Sequence, residues 1–384
     1  MSRGHQTPST GSPVPSLRDA GPIATKRPQF GINGYAIRQL AGEGSYGRVF
    51  KAEHLATKRE VALKFVDYKN GSDKKSRRHN RRIEREVKLL HLLHHPHIVR
   101  IYDVMSSSGG VVMVHEYLGG QDLFSHIQAH GYLRENEACR IFRQLVSAVD
   151  YLHHNCIVHR DLKPSNVMLD QANQVRLIDF GFANIFEWDK QLTTFCGSPS
   201  YASPEIVRGI RYTGPEVDIW SLGVILYCML CGSLPFHGAS QNEIFANVAN
   251  GRYTMPSHIS SQAQDLLRQI LTVDPRRRIS MRGIVRHPWT YRFDGKPIDN
   301  YLPLRPALVL EPNEESLKKM PVYGLDTAST AYALASSSTA TTPVVSIYHL
   351  IDEARRRRDS RHTHHVPAPM VTSSMSVYST GQSQ

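Results

Sequence analysis

The run His159-Arg160-Asp161-Leu162-Lys163-Pro164-Ser165-Asn166 sets a carboxylate, an ammonium and an amide within eight residues, and Asp179-Phe180-Gly181 begins thirteen residues after Asn166. These groups at these offsets suit phosphoryl transfer, in which the protein supplies an aligned nucleophile and cations across the equatorial oxygens, with little covalent work. Asp161 is placed to accept the proton of an attacking hydroxyl. Lys163 can reach the transferring phosphate, and Asn166 and Asp179 offer the hard oxygen donors that Mg²⁺ takes while keeping part of its water shell. An HRD triplet alone occurs by chance in surface loops; the full run with a DFG downstream rarely does.

The elements that must position these groups are also readable. Gly42, Gly44 and Gly47 form a G-x-G-x-x-G run, a pattern that also marks dinucleotide sites, where it opens a helix. Here Arg48 to Glu53 and Glu60 to Val66 read as strands, so the loop is a hairpin tip whose backbone can lie over phosphates. Period-two alternation puts Ala62, Lys64 and Val66 on one face and Val61, Leu63 and Phe65 on the other. Asp67 to Asn80 reads as a basic, glycine-containing loop carrying Lys74, Lys75, Arg77 and Arg78. Then Ile83, Val87 and Leu90 recur at helical spacing, with Glu86 on their stripe and Glu84 off it, so Glu86 is the carboxylate that needs a buried partner, and Lys64 is that partner. Strands return at Ile101 to Met105 and Val111 to His115, followed by a hinge at Glu116 to Gly119 and then by helical stripes.

These residues, with Val61-Ala62-Leu63-Lys64 and Ser203-Pro204-Glu205, resemble a eukaryotic protein kinase from Tyr35 to Trp289. The lysine of DLKPSN and the run CGSPSY resemble the serine/threonine class, and LTTFCGSPSYASPEIV and YTGPEVDIWSLGVILY are similar to its AMP-activated-kinase-related branch, within the calcium/calmodulin-dependent group. HPWTYRFDGKPIDNYLPLRPAL resembles the fungal KIN-type kinases, relatives of the microtubule-affinity-regulating enzymes. The resemblance implies an α+β, two-lobed fold: a small antiparallel β lobe with one helix, and a large, mainly helical lobe.

It also implies ATP as phosphoryl donor with Mg²⁺ as cofactor. Ala41, Gly42, Glu43, Gly44, Ser45, Tyr46, Gly47, Arg48 and Val49 would cover the nucleotide; Ala62, Lys64, Glu86, Glu116 and Asp122 would complete its site. Asp161, Lys163 and Ser198 would be catalytic, and Asn166 and Asp179 would hold metal. Thr194, two residues before Cys196, resembles an activation-loop phosphosite whose phosphate would pair with Arg160, with Thr193 as the nearby alternative; Arg278 resembles the partner of Glu205. Ala41 and His115 depart from the pattern, which has a larger aliphatic residue at the first position and Met, Leu, Thr or Phe at the second. A protonated imidazole behind the adenine would be costly, so nucleotide affinity is expected to weaken below about pH 6. The implied partners are protein substrates and an upstream activating kinase. A catalytically dead scaffold is the rival reading, opposed by the presence of Lys64, Glu86, Asp161, Asn166 and Asp179 together.

Composition agrees with this organisation. The 384 residues carry a formal charge of +12, which would favour acidic partners, nucleic acid or an anionic membrane surface, but it sits in short local runs and decides nothing alone; no nucleic acid is expected, and a basic binding module would have to live in the tails. Five cysteines without CxxC pairing suggest neither a disulfide framework nor a zinc site, and the best apolar run, Ile219 to Leu230, is too short to span a bilayer; a cytoplasmic protein is expected. The expected organisation is a disordered arm over 1–34, a kinase domain over 35–289, a post-kinase extension over 290–320 and a mostly disordered, basic Ser/Thr-rich tail over 321–384. Within that tail Ile347, Leu350, Ile351 and Ala354 precede Arg355 to Arg358 at helical spacing. A transient helix in a solvated tail is the expectation; weak contact with an acidic partner or a membrane is the alternative.

Overall fold

Alternating apolar residues in the first third of the chain and helical periodicity beyond it produce two lobes. The computed structural model describes residues 32, 34–44, 47–107, 109–194, 196–336 and 342–363. The small lobe is an antiparallel sheet of β1 (Tyr35–Gly44), β2 (Gly47–His54), β3 (Glu60–Asp67), β4 (Ile101–Ser106) and β5 (Gly110–Glu116), ordered β1-β2-β3-β5-β4, with α1 (Lys74–Leu92) inserted after β3. Val61 and Leu63 of β3 join Ala52, Val112 and Val114 in one core, while Val66 turns to the other face and meets Val111, Met113 and Ile83 of α1. Alternation therefore puts Lys64 on the side that faces α1.

The basic loop expected over Asp67 to Asn80 is corrected: α1 already begins at Lys74. Asp73 caps it, its carboxylate accepting the backbone N–H of Lys75 at 2.7 Å and of Ser76 at 3.0 Å, and the Ser76 hydroxyl at 2.6 Å. A cap satisfies N–H groups that have no partner within the helix, so an Asp can start one well before its first apolar residue. Lys74, Lys75, Arg77 and Arg78 consequently ride on a helix.

The large lobe runs through β6 (Gln121–Asp122), α2 (Leu123–His130), α3 (Glu135–His154), β7 (Ile157–Val158), β8 (Val167–Leu169), β9 (Val175–Leu177), β10 (Asn184–Ile185), α4 (Pro204–Val207), α5 (Pro215–Cys231), α6 (Gln241–Asn250), α7 (Ser261–Ile270), α8 (Met281–Arg286) and α9 (Pro288–Tyr291). Its core is built on α3 and α5; the former buries Phe142, Leu145, Val149 and Leu152 along one stripe, and the latter is buried nearly all round. The β8–β9 hairpin pairs Val167 with Leu177, and just beyond it the Ile178 N–H donates to the Asn166 carbonyl at 2.9 Å. That hairpin folds the thirteen-residue gap back on itself and sets Asn166 beside the strand that leads into Asp179.

The largest correction concerns the tail. Residues 314–336 and 342–363 form α10 (Glu314–Lys318), α11 (Thr327–Ala335) and α12 (Pro343–Thr363), and Ile347, Tyr348, Leu350 and Ile351 are buried in the main core together with Met320 and Leu334. Arg305 bridges Glu353 at 2.7 Å and Asn155 at 2.9 Å, and Arg357 donates to the Leu92 carbonyl at the end of α1. No single segment buries enough to order itself; three helices burying one shared face do. Arg355, Arg356 and Arg358 pair with Asp352, Asp359 and Glu315, so the basic run is largely engaged within the extension. The N-terminal arm, apart from Ile32 and Gly34, lies outside the described residues, and among those described no helix is long and apolar enough to cross a membrane.

Candidate active site

Between the lobes, Lys64 Nζ donates to Glu86 Oε1 at 2.7 Å, with side-chain exposures of 15% and 7%. Burial, with Asp179 near by, pushes the Glu86 carboxyl upward against the pull of Lys64. Glu84 is exposed, as helix phase requires. Val49 of β2 stands opposite Lys64, and Ala62 stands opposite His115, so the glycine hairpin, the lysine and the residue before the hinge border one space. Gly47 sits at φ +139°, where a Cβ would come 1.9 Å from the Phe65 carbonyl oxygen; no other residue fits beside the tip of that hairpin. Ser45 and Tyr46 lie outside the described residues.

Below this space the HRD run is held by a residue that the sequence reading missed. Asp218, in the first turn of α5 and fully buried, accepts the backbone N–H of His159 at 2.9 Å and of Arg160 at 2.8 Å, and also the His153 ring at 2.9 Å. Burial alone would raise its carboxyl; the His153 ring and His159 hold it below the usual range. Its signal was a carboxylate in an otherwise apolar helix. The clamp keeps Arg160 at φ +63°, an uncommon backbone conformation outside glycine.

Asp161 then faces three partners. Its Oδ1 accepts the backbone N–H of Ser198 at 2.8 Å and the Ser198 hydroxyl at 2.9 Å, while its Oδ2 lies 2.9 Å from Lys163 Nζ, which also donates to Ser198 Oγ at 3.0 Å. Asn166 directs its amide hydrogens to the Asp161 carbonyl at 2.8 Å and carboxylate at 3.2 Å. Asp179, at φ +61°, accepts the Gly181 N–H at 3.3 Å, and a Cβ on Gly181 would stand 3.3 Å from Asp179 and 3.6 Å from Glu86. The triplet therefore lies against the Lys64–Glu86 pair, and Phe180 is buried edge-on to His159 with ring centroids 5.0 Å apart.

Other expected members stand differently. Asp122 is the N-cap of α2, accepting the Ser125 N–H at 2.9 Å and the Ser125 hydroxyl at 2.7 Å, so its carboxylate already has a structural occupation. The Glu116 side chain turns back to the Arg100 N–H at 2.8 Å, which leaves only its backbone for the hinge. Ala41, Glu43 and Arg48 are exposed on the hairpin.

His115 corrects the acid-sensitivity expectation. Burial, reinforced by Lys64, holds its imidazole down at about 3, and its Nδ1 has no hydrogen-bond partner among the described residues. The ring is neutral at pH 6, so affinity should not fall there on its account. Stability is affected instead: the unfolded ring binds a proton near pH 6.5 and the folded one does not, so its contribution is intact above 6.5 and is lost as pH falls toward 3. Wild type is expected to lose about 2 kcal/mol at pH 5 through this residue. In urea titrations at pH 7.5 and pH 5, His115→Met should be spared that loss; identical acid penalties in the two proteins would place the ring in water.

A family model described as the protein kinase domain matches residues 35–290, and the chain belongs to that family. It is 46% identical over 260 residues to the carbon catabolite-derepressing protein kinase of Candida glabrata, covering 67% of this chain and 42% of the relative. It is 45% identical over 287 residues to the protein of that name from Saccharomyces cerevisiae, covering 74% and 44%, and 43% identical over 270 residues to the SNF1-related protein kinase catalytic subunit alpha KIN12 of Arabidopsis thaliana, covering 70% and 52%. The chain spans about half the length of these curated relatives. The family uses ATP with Mg²⁺. The donor set here fits that cation: among the described residues Asn166 spends its amide hydrogens on Asp161, leaving its oxygen as the free end, and Asp179 adds a carboxylate.

Proposed function

We propose that this chain is an active serine/threonine protein kinase that transfers the γ-phosphate of ATP to protein hydroxyls in intracellular signalling. The observation that supports it best is the closed Asp161–Lys163–Ser198 triangle, set across the cleft from a closed Lys64–Glu86 pair. Asp161 orients the incoming hydroxyl and takes its proton; Lys163 offsets charge on the phosphoryl group in flight; Lys64, held by Glu86, grips the inner phosphates. Asn166 and Asp179 would hold Mg²⁺, which would supply positive charge against the phosphate oxygens. A scaffold would not need this complete set. Among the described residues the five cysteines form no disulfide and four are buried, which supports a reducing, cytoplasmic setting.

Thr194 is the proposed switch, acted on by an upstream kinase. Its carbonyl accepts the Tyr212 hydroxyl at 2.9 Å, and Arg160 donates to that same hydroxyl at 3.3 Å, so Thr194 already lies beside the arginine that a phosphate would engage. Thr194→Ala is expected to leave ATP binding unchanged and to lower turnover at least about tenfold, the rate equivalent of one lost charge-assisted hydrogen bond. The measurement is labelled-phosphate transfer to a peptide array, with and without prior activation. Full turnover by the alanine variant would remove the switch.

A further inference from the structure

The corrected start of α1 has a chemical result. Lys74, Arg77, Arg78, Arg81, Arg82 and Arg85 fall at spacings of three and four, forming a single stripe along the first three turns. That stripe walls a cavity of about 610 Å³ between α1 and the segment after the DFG, whose other side carries Arg160, Phe182, Asn184 and Thr194. None of the six joins an ion pair among the described residues; Arg82 lies over the Phe182 ring at 3.9 Å. Burial, and then repulsion from Arg160, Arg82 and Arg81, lowers Arg85 from its ordinary value.

Seven cations counting Arg160 face a volume of about twenty waters. One phosphate on Thr194 brings at most about two negative charges, to the Arg85 end of the stripe, which Arg160 faces. The Lys74 end is about 16 Å along the helix from Arg85, a length matched by about five residues of extended peptide. Arg160 and Cys196, which line the basic cavity, also line a cavity of about 10 Å³ together with Asp161 and Ser198, so the basic groove reaches the segment that flanks the catalytic carboxylate.

We infer that the groove between α1 and the activation segment is a docking site for a phosphorylated stretch of the substrate peptide itself, bound by Lys74, Arg77 and Arg78 beyond the position of the Thr194 phosphate. This rests on the kinase reading above and specifies its substrate class: peptides already phosphorylated near the acceptor hydroxyl.

The test uses the full chain phosphorylated on Thr194, and paired peptides with serine or phosphoserine at each offset on either side of one acceptor. At one or two offsets phosphoserine should lower KM by about tenfold or more, with kcat little changed. Lys74→Glu/Arg77→Glu/Arg78→Glu should abolish that preference and leave kcat/KM for the unphosphorylated peptide intact; acids in a first helical turn do not threaten its folding. Anisotropy of a fluorescent phosphopeptide without ATP gives a readout independent of turnover. A chain that phosphorylates the plain peptide without preference at any offset overturns the docking site while sparing the kinase reading. Phosphopeptide binding lost in the triple variant, by a chain that transfers nothing, supports the site and overturns the kinase reading. Tight binding of inositol hexakisphosphate or of phosphoinositide vesicles, with phosphopeptides inert, overturns it in favour of a non-peptide anion.

Discussion

Asp161→Asn is expected to lower peptide turnover by roughly 10² to 10⁴ while ATP affinity stays at the wild-type value and the melting temperature falls by only a few degrees. The carboxylate is 3% exposed and accepts on both oxygens, from Ser198 on one side and from Lys163 and Asn166 on the other. An amide of the same shape keeps one acceptor and turns its NH₂ toward a donor, so either the Ser198 side or the Lys163 side loses a partner. More important, it has no lone pair with the basicity to take the proton of an alcohol. Steady-state kinetics, ATP titration and thermal melting on one preparation separate the chemical loss from a folding loss. A variant within a few-fold of wild type would deny Asp161 the role of base, and a wild type no faster than the variant would favour a scaffold.

What was legible in the sequence was what is local. The HRD and DFG runs each carry their chemistry within a few residues, and helix phase sufficed to choose Glu86 over Glu84. Groups whose role comes from distant partners were not legible. Asp218 holds backbone N–H groups 58 and 59 residues before it, and nothing in the α5 pattern says where its carboxylate points. That Asp122 also caps α2 was not legible, because that role depends on where the helix begins. The onset of α1 was placed too late because a dense basic run hides the cap at Asp73. His115 was assigned an ordinary histidine response, whereas depth of burial next to Lys64 sets it at about 3. The extension after residue 313 failed as a sum: each helix, taken singly, buries too little, and the shared core with Met320, Leu334 and Ile347 appears only in three dimensions.

The largest stability effect is expected at a pair far from the phosphates. Arg278 Nη1 and Nη2 donate to the two oxygens of Glu205 at 2.8 and 3.0 Å, with side-chain exposures of 1% and 3%. The guanidinium also donates to the carbonyls of Thr272 and Glu216 and lies 5.1 Å from the Trp220 ring centroid, so it ties α4 to α5 and to the turn before α8. Arg278→Ala leaves a carboxylate buried without a counter-charge and is expected to cost about 3–5 kcal/mol, a fall of roughly 10 °C in melting temperature. Glu205→Leu/Arg278→Met, which removes both charges, should be milder than the single change, although the orphaned carbonyls keep it from full recovery. Arg278→Lys should not restore stability, because a single ammonium cannot span both carboxylate oxygens and the carbonyls together. Urea unfolding of wild type, Glu205→Leu, Arg278→Met and the double variant closes a double-mutant cycle. A single-variant loss below 1 kcal/mol would mean that water reaches the pair, and α4 would then have to be anchored by its apolar contacts through Ile206 and Tyr212 alone.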